Sequence, residues 1–166
     1  MPVSAGLLRK SMTMDSLLER SHSFEDLLPL IREQIALGGS VRISPRGTSM
    51  LPMLRQGMDT VVLSPVPERL RKYDIPFYRR DNGQFVLHRI VAVGETYTCV
   101  GDNQFQLERE VRKEQMIAVV TAFSRGGREI PVTNLGYLGY CRFWHYSRPV
   151  RRIWRGAVSR LRRILG

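Results

Sequence analysis

After Gly38-Gly39 the apolar residues of this chain stop recurring at helical intervals and begin to alternate. The segments "SVRIS", "DTVVLS", "DIPFYRR", "QFVLHRIVAV", "TYTCV" and "MIAVVTAF" are short and rich in β-branched and aromatic residues, with turn-forming residues between them. Such runs fit a pleated, half-buried surface, so residues 40–134 are expected to form one mainly β, mostly antiparallel domain. Asn82-Gly83 marks a two-residue hairpin, because a type I′ turn needs positive φ at both central positions. Gly94-Glu95 and Ser124 to Gly127 read as further hairpin connections. Within "QFVLHRIVAV", alternation places His88 on one face with Ile90 and Ala92, and Leu87, Arg89 and Val91 on the other.

Helical patterns flank this region. Residues 1–39 form a polar segment, in which "MDSLLER" suits a short helix, followed by a helix with Leu27, Leu28, Ile31, Ile35 and Leu37 on its stripe. Ser23 and Asp26 have the spacing of a capping-box variant, Gly38-Gly39 ends the helix, and Pro29 bends it or marks its first turn. Residues 135–166 form a basic C-terminal segment that becomes an amphipathic helix from Pro149. Its stripe is Val150, Ile153, Trp154, Ala157, Leu161, Ile164 and Leu165, surrounded by Arg151, Arg152, Arg155, Arg160, Arg162 and Arg163.

Charge is concentrated in that tail. The net charge is +11, yet residues 141–166 hold eight arginines and no acid, so residues 1–140 carry 18 basic against 15 acidic side chains. The helix has three competing roles: covering the β core, lying in an anionic membrane interface, or contacting nucleic acid. The membrane interface is favoured, and nucleic acid ranks last because no recognition motif accompanies the arginines. No run nears the roughly 18 apolar residues of a spanning helix, and no signal peptide is evident, so the expected location is the cytoplasm or the membrane periphery. Cys99 and Cys141 lie in no ligand cluster and read as packing residues; neither a metal nor a cofactor is expected.

"RGTSMLPML", residues 46–54, carries the candidate chemistry. Ser49 there is either a turn residue, for which Gly, Ser and Pro are the usual choice, or a nucleophile needing a nearby base. His88 is the one histidine within the β region. Asp102 of "GDN" follows the next strand, from which it would orient His88 as the third member of a triad, with the Ser49 backbone N–H pointing at the oxyanion.

The ordered boxes "GTSMLPML", "GMDTVVL", "KYDIPFYRR", "LHRIVAV" and "VGDNQ" resemble those of the type I signal peptidases and their LexA-type serine peptidase relatives, over roughly residues 40–123. The resemblance implies a β-rich catalytic fold with Ser49 as nucleophile and His88 as general base in a Ser/His variant. It further implies Asp102 as supporting acid, Met50 and Pro52 against the substrate, and Arg89 in an architectural role. The implied reaction is endopeptidase cleavage of leader or signal-like peptides with small residues beside the scissile bond. This chain has Gly47 where the histidine branch carries serine, Met58 inserted into a Gly-Asp pair, Tyr73 where glycine is expected, and no apolar run of the length that a membrane anchor needs. Two alternatives stand beside the peptidase: a LexA-like protein that processes itself, and a catalytically inactive module that binds peptide or membrane.

Overall fold

A computed structural model describes residues 24 to 165. The "MDSLLER" helix and the Ser23 cap lie outside the described residues. Helix α1 (Phe24–Ala36) contains Pro29 and inserts Leu27 and Ile31 beneath the main sheet. It stops where Gly38 turns to φ +74°, leaving Leu37 beyond the last turn and exposed rather than on the buried stripe.

Nine strands follow in chain order: β1 (Val41–Ile43), β2 (Thr60–Ser64), β3 (Pro76–Arg79), β4 (Phe85–Leu87), β5 (Arg89–Val93), β6 (Tyr97–Val100), β7 (Glu108–Val111), β8 (Met116–Arg125) and β9 (Arg128–Pro131). They build two antiparallel sheets. The first runs β1-β2-β8-β3-β4, with β9 also on β8, and the second runs β5-β6-β7. Two helices close the chain, α2 (Leu135–Tyr146) and α3 (Arg148–Leu165). The β body flanked by helices is therefore as the sequence pattern implies, but the C-terminal segment is helical from Leu135 rather than from Pro149. The Asn134 side chain begins α2 by accepting from the Tyr137 N–H at 3.1 Å. Among the described residues no helix is long and apolar enough to cross a membrane.

The core divides into two apolar clusters. Val61, Leu63, Ala118 and Val120 of the first sheet pack with Ile75, Leu27 and Ile31, whereas Tyr78 of β3 and Met116 and Val119 of β8 pack with Ile90, Cys99 and Val111 of the second sheet. Full burial of each large aliphatic side chain contributes roughly 1.5–3 kcal/mol. Truncating Leu63, which is completely buried, would cost about 2–5 kcal/mol because the lost methyls leave a cavity.

Two local expectations are corrected. "QFVLHRIVAV" is not one strand: it breaks at His88, with β4 in the first sheet and β5 in the second. Because the chain passes between sheets there, His88, Arg89, Ile90 and Val91 are all buried, and simple alternation fails. The Asn82-Gly83 turn is also different. Only Gly83 has positive φ, Gly83 N–H donates to the Arg80 carbonyl, and Arg80 N–H donates to the Gln84 carbonyl, which describes a three-residue loop with a glycine bulge. The two-residue turn with positive φ at both centres occurs instead at Gly126-Gly127, between β8 and β9.

Candidate active site

Ser49 sits on the turn that leaves β1. Gly47 is left-handed (φ +87°) and donates its N–H to Gln56 Oε1 at 2.7 Å, and the Leu54 N–H closes a helical turn onto the Met50 carbonyl at 2.9 Å. That turn buries Met50, Met53 and Leu54 and leaves Ser49 half-buried on the wall of a cavity of about 420 Å³. Ile43, Met50, Leu54, Phe77 and Leu87 supply its apolar lining. Since Ile43 belongs to β1 and Leu87 to β4, the cleft lies between the two terminal strands of the first sheet. Met50 thus lines the cleft with Ser49, whereas Pro52 is absent from that lining; its carbonyl accepts from Arg125 Nη2 at 3.0 Å.

His88 follows the cleft residue Leu87 directly, and its imidazole is 1% exposed. Its Nδ1 lies 2.7 Å from Glu108 Oε1, off the line that a straight N–H···O bond would take. Glu108, on β7, also accepts from Tyr78 Oη at 2.7 Å and from Arg80 Nε at 3.0 Å, with Arg80 Nη2 closing a second contact. Burial raises the Glu108 pKa, but His88, Arg80 and Tyr78 together outweigh that effect and hold the carboxyl well below the usual carboxylate range. The same burial raises the Tyr78 hydroxyl, with the Cys99 and Glu108 charges adding to it, so Tyr78 is a donor here. Cys99 is pushed up to about 12, chiefly by burial, which removes it as a thiolate nucleophile.

Asp102 is not the partner of His88. Its two oxygens accept from Arg89 Nε at 2.8 Å and Nη2 at 2.7 Å, and Tyr140 Oη donates to it at 3.1 Å. Arg89 and Asp102 are each 2% exposed. The guanidinium satisfies its remaining donors on Tyr137 Oη at 2.7 Å, Cys141 Sγ at 2.9 Å and the Tyr73 carbonyl at 3.2 Å. Burial disfavours the Arg89 charge, and Asp102 more than compensates, so the guanidinium stays charged. This pair ties the β5–β6 hairpin to α2.

The rest of "GDN" does reach Ser49. Asn103 N–H donates to the Ser49 carbonyl at 2.8 Å, and Asn103 Nδ2 to the Thr48 carbonyl at 3.1 Å. Gly101 directly follows Val100, the residue of β6 that pairs with Arg89 at the start of β5. A Cβ built there would come within 2.6 Å of the Ser49 carbonyl oxygen and 3.1 Å of the Ser49 Cβ. The Ser49 turn therefore packs against Gly101, the residue that follows β6.

Two irregular positions in the boxes have physical accounts. Tyr73 adopts φ +83°, a conformation natural to glycine, and Met58 points into solvent while Asp59 stays fully buried on Arg55. Glu108 is the residue that sequence reasoning missed: in "LEREV" it resembles one more charge on a solvated strand. Its one signal is that β7 must fold back on β6, with Cys99 opposite Glu108.

Comparisons with protein-family models, with curated proteins and with solved structures return no match for this chain. The signal peptidase-like resemblance thus rests on the ordered boxes alone.

Proposed function

We propose that this protein is a serine endopeptidase of signal peptidase-like type, cleaving leader or signal-like peptides. The observation that carries the reading is the junction at Gly101, where the Ser49 turn packs against the residue that follows β6, the strand paired with β5, while Glu108 approaches the imidazole of His88, the residue just before β5. With Nδ1 turned toward Glu108, Nε2 is the nitrogen that takes the Ser49 hydroxyl proton and later returns it to the leaving amine. Glu108, held ionised, fixes the tautomer and stabilises the imidazolium. The Ser49 backbone N–H serves the developing oxyanion. An extended segment with small residues beside the scissile bond enters between β1 and β4 as an added strand, against the walls formed by Met50, Ile43 and Leu87.

A second reading, a catalytically inactive peptide-binding module, uses the same cleft and is favoured by one observation, the near-complete burial of His88. An unbiased peptide library read by mass spectrometry decides between them. Cleavage by the wild type that is lost in both Ser49→Ala and His88→Ala is the expected result. Binding of library peptides without cleavage by the wild type would establish the module instead.

A further inference from the structure

The two C-terminal helices expose an apolar stripe that no other part of the described chain covers. Phe143, Tyr146, Val150, Ile153, Trp154 and Leu161 are each more than half exposed; Phe143 stands at 68%, Ile153 at 74% and Trp154 at 70%. Their spacings of three, four and seven residues keep them on one helical face. The junction preserves that face, because Ser147 N–H donates to the Phe143 carbonyl at 2.9 Å and Arg151 N–H to the Ser147 carbonyl at 3.0 Å. On the helical wheel Arg142 and Arg160 flank the stripe on one side, and Arg151 and Arg155 flank it on the other. The second pair turns toward the β body. Arg151 donates to the Trp144 carbonyl at 2.7 Å and the Asp102 carbonyl at 3.2 Å, and Arg155 donates to the Asn103 carbonyl at 3.1 Å and also holds the Asn103 side chain.

We infer that this face docks on an anionic lipid bilayer. Residues 135–166 contain no acid, so a surface combining large apolar groups with flanking arginines is complementary to acyl chains beneath negative headgroups. Nucleic acid would neutralise the arginines but leave Ile153, Trp154 and Val150 in water. A second copy would cover the apolar groups only by bringing eight like charges against eight. The bilayer alone satisfies both halves of the surface. Through Arg155 and Asn103 the docked helix is tied to the loop that holds the Ser49 carbonyl.

The test uses the full chain carrying Ser49→Ala, so that its outcome is independent of any peptidase activity. Co-sedimentation is measured with phosphatidylcholine vesicles with and without phosphatidylglycerol, alongside Ile153→Glu/Trp154→Glu and Arg142→Gln/Arg160→Gln variants. Strong binding to the anionic vesicles is expected, with a loss of about tenfold or more in each variant. Because all four residues are exposed and touch no core group, circular dichroism of the variants should match the parent. Absence of binding to anionic vesicles overturns the inference. So does binding that survives Ile153→Glu/Trp154→Glu and is displaced by duplex DNA, which would assign the arginines to nucleic acid, or a stable dimer by light scattering that ignores vesicles.

Discussion

His88 and Arg89, adjacent in the chain, reach opposite carboxylates: the imidazole lies against Glu108 on β7, and the guanidinium is clamped by Asp102 after β6. Neighbouring residues of an extended chain point to opposite faces, so one acid could not serve both. The arrangement separates two tasks. Glu108, reached by Arg80 and Tyr78 and partly open to solvent, is suited to orienting a base, while the sealed Arg89–Asp102 pair fastens α2 to the hairpin.

Replacing Glu108 with Gln should therefore damage catalysis more than folding. The amide keeps the shape but cannot stabilise an imidazolium, and loss of such an orienting carboxylate costs roughly 10²–10⁴-fold in kcat. Glu108→Asp should recover part of that rate. Steady-state kinetics on a peptide found in the library would check it; an unchanged kcat in Glu108→Gln would remove Glu108 from the mechanism.

What the sequence discloses here follows from how local each feature is. The β region and its flanking helices are legible because period and residue type announce them within a few positions, and Ser49 and His88 stand out as candidates for the same reason. The partner of His88 is not, since it depends on where β7 returns after a seven-residue connection, and "LEREV" carries no pattern that separates a buried-side glutamate from a solvated one. The strand break at His88 is hidden for a related reason. Both sides of it read as strand, and only packing against two sheets, with α2 covering Arg89, splits them.

Asp102→Asn should act on stability instead. Removing the charge leaves Arg89 buried and uncompensated, which costs about 3–5 kcal/mol. Urea unfolding followed by circular dichroism would read the loss, and the Arg89→Met/Asp102→Leu double variant should cost clearly less than the sum of its single changes, because each single change strands the other's partner. Additive costs would mean the pair is not coupled.

Glu108 also predicts a pH dependence. Its folded pKa lies below its ordinary value of 4.5, so the stability it contributes is complete above about pH 4.5 and is lost as pH falls toward the lower folded value. The stability gap between wild type and Glu108→Gln should accordingly be constant near neutrality and shrink below that point. Urea midpoints across an acid series measure it, and a gap that widens with acid would reverse the assigned direction.

Gly101→Ala isolates the junction itself. The added methyl would meet the Ser49 carbonyl oxygen at 2.6 Å, and that oxygen is held in place by the Asn103 N–H, so the Ser49 turn must shift relative to the residues that follow β6. Overpacking of this kind costs about 1–3 kcal/mol, which a folded domain tolerates, whereas a displacement of around 1 Å between nucleophile and base costs on the order of 10²-fold in rate. The expected variant is folded, still binds peptide in the cleft, and cleaves at least tenfold more slowly, an approximate lower bound that allows for partial relaxation. Kinetics and peptide affinity measured on the same preparation separate the two effects. If affinity and rate both stayed at wild-type levels, the Ser49 turn would not need the close approach at Gly101, and the proposed pairing of Ser49 with His88 would lose its main geometric support.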